Sequence, residues 1–275
     1  MRLRFTKMHG AGNDFVIVDC RNTPLALDAA QIARLGDRHF GVGFDQLLTV
    51  EPARDPSCAF AYGIYNADGS LARQCGNGLR CVAAWLHRAG VIGAGDLLLQ
   101  SPSGPVSITV GADGSVRAGM GQARFAPHDI PLLLPQADPY RLNANGSAIE
   151  FGAVSMGNPH AVIEVDDVAT APLATLGAAL SLDEHFPQGC NVGFVQIVDR
   201  GRVRLRVWER GAGATLACGT GACAAVAVLR GRGKVEADVA VELPGGTLQI
   251  HWAGADATVT MSGPTQFVFE GEYDA

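Results

Sequence analysis

The 275-residue sequence has no Cys-x-x-Cys pair, although it holds seven cysteines, at positions 20, 58, 75, 81, 190, 218 and 223. An odd number of thiols without a redox motif argues against a structural disulfide framework. The histidines do not fall at zinc-ligand spacing around them, so no metal site is expected. No apolar run approaches the roughly 18 residues of a membrane span. The opening MRLRFTKMHG has polar and charged residues where a secretion signal carries its apolar core. These absences lead us to expect a cytoplasmic protein with no membrane partner. Charged residues make up only 17% of the chain, with a net charge of −6 and no basic block, which argues against a nucleic-acid partner. Nicotinamide, pyridoxal and ATP fingerprints are also missing, including the Walker pattern GxxxxGK[ST]. The chemistry is therefore expected to need no cofactor.

Glycine, by contrast, is abundant. Its 35 residues exceed the usual share of about 7% and imply many tight turns and close backbone approaches. A hydrophobic content of 48% over this length suits one large domain or two small ones with a real core.

The stretch WERGAGATLACGTGACA, 208–224, is the most informative. A strand-like run, Val203 to Val207, precedes it, and an alanine-rich run with good helix propensity, Ala222 to Leu229, follows Cys218-Gly219-Thr220-Gly221. The expected object is a thiol at the mouth of a helix whose first amides no side chain covers. Free N–H groups and the helix dipole favour negative charge there, which would lower the thiol pKa and could also hold a carboxylate.

Elsewhere, residues 3–9 and 15–19 read as strands around the bend HGAGNDF, and Asp28 to Asp37 as a capped helix. FGVGFDQLLTV and AFAYGIYN read as strands flanking the loop 51–57. Cys75-Gly76-Asn77-Gly78 then leads into an apolar helix, Leu79 to Ala89, followed by a meander over 96–120. Residues 121–148 are proline-rich and aperiodic, and read as a crossover. FGAVSMGNPHAVIEVDD then pairs two strands around Gly157-Asn158, with a helix over Pro172 to Ser181. CNVGFVQIV and RVRLRVWE are strands, and short strands run from Val235 to Met261.

The second half repeats the first. Asn13 and Cys75 are 62 residues apart, Asn158 and Cys218 60; Gln46 precedes Cys75 by 29, Asn191 precedes Cys218 by 27. The expected fold is α/β of the α+β type: two pseudo-symmetric lobes, each a mostly antiparallel sheet wrapped around a central helix, with the active site in the cleft between them. The lobes are placed at 1–120, completed by a C-terminal strand over 264–275, and at 121–263. Each helix start offers one cysteine. A thiolate and a thiol on opposite faces of a carbon can invert it, the first removing a proton and the second delivering one. Thiols suit this because their ordinary pKa, about 8.5, brings both forms within reach of neutrality. Cys81 and Cys223, one turn further into the helices, read as core. Cys20, Cys58 and Cys190 read as structural, as do His9, His39 and His87.

MHGAGNDF, FGVGFDQ, NADGSLARQCGNGLRC, GNPHAV, CNVGF and WERGAGATLACGTGACA together resemble the diaminopimelate epimerase family. The resemblance implies cofactor-independent interconversion of LL- and meso-diaminopimelate on two pseudo-symmetric lobes, a small-molecule substrate and a homodimer. By position it makes Cys75 and Cys218 the acid/base pair. It gives Gly76-Asn77 and Gly219-Thr220 the reacting α-carboxylate. Asn13, Gln46, Asn66, Asn158 and Asn191 become substrate contacts, and Glu209 and Arg210 the recognisers of the far amino-acid end. It further implies that His160 and Glu209 tune the cysteine pKa values. Ala214 departs from the acidic residue the family often has there. Three other readings compete. One is a proline or hydroxyproline racemase on the same scaffold, which tends to carry histidine where this chain has Asn77. A dithiol redox protein and a non-catalytic amino-acid binder are the others.

Overall fold

In the opening strand, RLRFTKMHG, Leu3 and Phe5 are buried while Arg2 and Arg4 stay in water, the two-residue period of a strand with one wet face. The structure, a computed structural model, describes residues 2–144 and 146–274. The chain folds as two compact units, Met1–Gly119 with Ser262–Ala275, and Met120–Met261.

In the first unit, β1 (Arg2–Gly10) runs antiparallel to β2 (Asn13–Asp19). Helix α1 (Ala29–Gly36) follows, and its N-cap Asp28 forms a reciprocal capping box with Gln31. Strand β2 lies parallel to β3 (Gln46–Glu51), which is antiparallel to β4 (Phe60–Asn66). After α2 (Gly76–Arg88) comes β5 (Gly95–Ser101), parallel to β4, then the antiparallel β6 (Gly104–Val110) and β7 (Val116–Gln122).

The second unit opens with the hairpin of β8 (Tyr140–Ala144) and β9 (Ser147–Ser155). Strand β9 is antiparallel to β10 (Pro159–Glu164), and a wide turn, Leu173–Gly177, runs into the short α3 (Ala178–Ser181). Strand β10 is parallel to β11 (Asn191–Asp199), and β11 antiparallel to β12 (Arg202–Glu209). A short β13 (Gly213–Thr215) pairs with the end of β12 and leads to α4 (Gly219–Gly231). Strand β14 (Asp238–Leu243) is parallel to β12 and antiparallel to β15 (Gly246–His251); β16 (Thr258–Ser262) follows. The last strand, β17 (Gln266–Asp274), returns to the first unit and pairs antiparallel with β1.

The repeat thus reaches down to strand pairing. The series antiparallel, parallel, antiparallel, helix, parallel, antiparallel runs from β1 to β6 and again from β9 to β15. One helix sits at the heart of each unit. Helix α4 is buried on every side from Ala222 to Leu229 and packs on β9, β10, β11, β12 and β15. Its alanines and the absent side chain at Gly152 on β9 allow this, since a Cβ there would lie 2.3 Å from Val228 Cγ1. Each buried valine or leucine contributes roughly 2 kcal/mol, more than the few tenths that valine costs a helix. Helix α2 packs on β1, β2, β3 and β6. Cys81 and Cys223 lie in these cores, fully buried.

Three expectations need correction. Phe40 to Asp45 is not strand: Gly41 lies so close to α1 that a Cβ there would be 2.2 Å from the Arg34 carbonyl, and Gly43 takes a positive φ. This folds the segment back over the helix end and leaves Phe40 exposed. Both Cys-Gly helices begin at the glycine after the cysteine, three residues before the apolar runs. The stretch 121–148 is not wholly aperiodic, for it contains β8, and it seals Ile130 and Leu132 into the second core.

Candidate active site

Strand ends at one edge of each sheet carry the polar side chains. In the first unit β2 and β3 begin at Asn13 and Gln46, and β4 ends at Asn66. The register pairs Phe15 with Gln46 and Gln46 with Asn66, so all three amides gather at the same edge. Cys75 is the N-cap of α2, in extended backbone. Its Sγ accepts the N–H of Gly78 at 3.4 Å and donates to Asn13 Oδ1 at 3.6 Å. Asn77, nearly buried on the first turn, donates to the same oxygen at 3.4 Å. Gln46 Nε2 donates to Asn66 Oδ1 at 3.0 Å, and Asn66 Nδ2 to Ser70 Oγ at 3.0 Å.

The second unit repeats this layout with different chemistry. Asn158 directly precedes β10, Asn191 opens β11 and Glu209 closes β12. Glu209 therefore stands where Asn66 stands in the first unit, a correspondence the unlike residue types hide in the sequence. Cys218 caps α4, its Sγ accepting from Gly221 N at 3.3 Å and lying 3.6 Å from Thr220 Oγ1. Asn158 Nδ2 donates to Thr220 Oγ1 at 3.4 Å, leaving its Oδ1 to His160 Nε2 at 3.0 Å. Asn191, buried, accepts the Arg210 backbone N–H at 2.9 Å, and Arg210 Nη1 donates to the Gln188 carbonyl at 2.6 Å. Thr215 donates to Glu209 at 2.5 Å.

Sulphur is not a preferred N-cap; Asp, Asn, Ser or Thr in that place is worth about 1 kcal/mol. Helix α1 uses Asp28, whereas α2 and α4 both use cysteine. Glycine at the third helical position lets each sulphur reach an amide. At Gly221 a Cβ would sit 3.2 Å from Cys218 Sγ and 3.1 Å from Val207 Cγ2. Gly76 and Gly219 leave the first amides uncovered, as an anion site needs.

The expected lowering of the thiol pKa is not the net result at Cys218. Burial, then the carboxylate of Glu209, push this thiol well above its ordinary value, against the opposing bonds from Thr220 and Gly221. Burial governs His160 as well. Burial first, then the charge of Arg210, lower its pKa to about 3, so at neutral pH it carries no positive charge. In the neutral tautomer with its proton on Nε2, the ring donates to Asn158 Oδ1.

Several neighbours escape a reading of the sequence. Asp45 accepts Asn13 Nδ2 at 2.7 Å and is itself held by Arg38 at 2.8 Å. Tyr62, buried on β4, feels the charge of Cys75, and burial raises its pKa. The strand period turns Tyr62 inward, but only the pairing of β4 brings it near the sulphur.

Comparison with known proteins bears on the family and the fold. The family model described as diaminopimelate epimerase matches residues 5–126 and 152–268. The diaminopimelate epimerase of Xanthomonas euvesicatoria pv. vesicatoria (strain 85-10) is 54% identical over 275 residues, covering 99% of this chain and 97% of its own. That of Xylella fastidiosa (strain M12) is 52% identical over 271 residues, 98% and 95% of the two chains. Among solved structures, a hydroxyproline epimerase from Agrobacterium vitis superposes with a TM-score of 0.73 at 17% identity, over 98% of this chain and 92% of that one. A predicted epimerase from Pseudomonas aeruginosa gives 0.70 at 19%, over 98% and 99%. At such identities the superpositions establish the fold alone, whereas the family model and the close relatives establish descent: the chain belongs to the diaminopimelate epimerase family.

Proposed function

We propose that this protein interconverts LL- and meso-diaminopimelate, as a cytoplasmic homodimeric isomerase supplying lysine and peptidoglycan synthesis, with Cys75 and Cys218 as its proton-transfer pair. The observation that carries the reading is the doubled helix start, a cysteine cap followed by Gly-x-Gly at equivalent places of two related units. A carbon acid as weak as the α-position of an amino acid needs a base on one face, an acid on the other and help for the developing charge. One sulphur, as thiolate, takes the α-hydrogen as a proton, and the other thiol delivers its own proton to the opposite face. The amides of Gly76-Asn77 and Gly219-Thr220 hold the α-carboxylate, into which the charge flows. No external redox partner enters, because the pair of sulphurs ends with the charge and proton exchanged. The polar side chains Asn13, Gln46, Asn66, Asn158, Asn191, Glu209 and Arg210 exceed what one amino-acid head group requires. They support a substrate with an amino-acid group at each end.

Chiral chromatography after incubation with LL-diaminopimelate, L-proline and trans-4-hydroxy-L-proline tests the substrate. The expected result is an equilibrium mixture from diaminopimelate and unchanged proline and hydroxyproline. Racemisation of proline with diaminopimelate untouched would contradict the reading.

A further inference from the structure

Asn13 belongs to the reading above, but the group that decides how it acts does not. A side-chain amide presents a donor on one side and an acceptor on the other, and only its surroundings fix which faces where. Asp45, at the turn into β3, settles the matter for Asn13. Its Oδ2 accepts both Asn13 Nδ2 at 2.7 Å and the Asp14 backbone N–H at 3.1 Å, while its Oδ1 accepts Arg38 Nη2 at 2.8 Å. Arg38 also grips Asp14, which Lys7 holds from the other side. A carboxylate only accepts, so the NH2 of Asn13 must face it, and the Asn13 oxygen must face the sulphur of Cys75.

We infer that Asp45 is a positioning residue that, through Asn13, keeps an acceptor against Cys75 and so holds this cysteine in its thiol form. The inference rests on Cys75 being one of the reactive pair. An acceptor opposite sulphur stabilises S–H and opposes S⁻. The second unit opposes a thiolate by other means: Thr220 stands beside Cys218 with a hydroxyl able to donate or accept, while burial and the carboxylate of Glu209 hold that thiol. The two thiols are thus held by different groups, Cys75 by a positioned amide oxygen and Cys218 by burial and a carboxylate. The Gly78 N–H, which the same sulphur accepts, pulls the other way. Tyr62 on β4 and Cys81 on α2 are held neutral by burial. On β1 and β2, Lys7 and Asp14 are paired with each other. Arg80, one turn inside α2, bonds back to the Gly76 carbonyl, and its positive charge favours a thiolate.

Asp45→Asn loosens the hold on the Asn13 amide. The new amide has one oxygen for the three donors that the carboxylate holds, Arg38, Asn13 and the Asp14 N–H, so the grip on the Asn13 NH2 weakens and that NH2 can turn onto the sulphur. The readout is alkylation of Cys75 by iodoacetamide across pH, followed by peptide mass spectrometry, with no substrate present. The Cys75 midpoint is expected to fall by about one pH unit, which is about tenfold faster labelling near neutrality, while labelling of Cys218 stays as in the wild type. In an Asn13→Ala background, Asp45→Asn should move the midpoint no further, because the route through Asn13 is gone. Where Asp45→Asn does not fold, Asn13→Ala alone decides, and loss of the acceptor should speed Cys75 labelling. An unmoved Cys75 midpoint in the folded variant, or an equal shift with and without Asn13, overturns the inference. Because labelling needs no turnover, that failure stays separate from a failure to epimerise diaminopimelate.

Discussion

A sulphur at a helix N-terminus is pulled two ways, towards thiolate by the amides it caps and towards thiol by whatever else surrounds it. At Cys218 burial and Glu209 win over Gly221 and Thr220. Glu209→Gln removes the carboxylate but not the burial, so the Cys218 thiol should ionise at lower pH than in wild type yet still above an ordinary thiol. The expected displacement is about one unit, or tenfold more thiolate at a given pH, read as thiolate absorbance lost on adding Cys218→Ala. An unchanged titration would remove Glu209 from the control of this sulphur. The sequence makes the two capping cysteines and the asparagines beside them stand out because they recur at matched spacing. It hides Asp45, which reads as an ordinary charge beside Gln46 and gains its role only when the start of β3 meets the start of β2. The charge of His160 was equally invisible, since it depends on complete burial.

Element by element, the glycines divide by what stands opposite them. A methyl at Gly221 would press on Val207 and on the Cys218 sulphur, lifting it from its amide. Gly221→Ala is expected to cost about 1–3 kcal/mol of stability and about 100-fold in kcat, since a small misplacement of a reacting group has that effect. Gly231, at the other end of α4, faces nothing within 4 Å, and Gly231→Ala should leave activity unchanged and add roughly 0.5 kcal/mol through helix propensity. Thermal melts and steady-state kinetics of the pair check both; equal behaviour of the two variants would mean that the cap geometry at Cys218 is not required. Helix positions were readable from apolar periodicity and from the turn residues, but their first three residues were not. Gly-Asn-Gly and Gly-Thr-Gly have poor helix propensity and enter the helix because the cysteine cap and the packing behind it hold them there. Strand partners were unreadable for a similar reason: alternation says that β2 and β3 are strands, whereas their parallel pairing depends on α1 and the glycine-rich return between them.

Across the whole chain, duplication is the feature that sequence and structure share most fully. Matched spacings announced two related halves, and the same series of pairings appears in both units. What the halves do not share is the chemistry of the matched strand ends, the amide of Asn66 at the end of β4 in the first and the carboxylate of Glu209 at the end of β12, with Arg210 beside it, in the second. A scaffold of two like units with unlike linings suits a reaction that is symmetric at one carbon and selective in what surrounds it. The proton transfers themselves are tested by running the reaction from LL-diaminopimelate in heavy water and analysing both isomers early. With two cysteines each serving one face, deuterium enters the meso product at the inverted carbon while the recovered LL isomer stays unlabelled, and Cys75→Ala and Cys218→Ala each abolish epimerisation. Equal early labelling of both isomers, or epimerisation at the wild-type rate by either alanine variant, would contradict it.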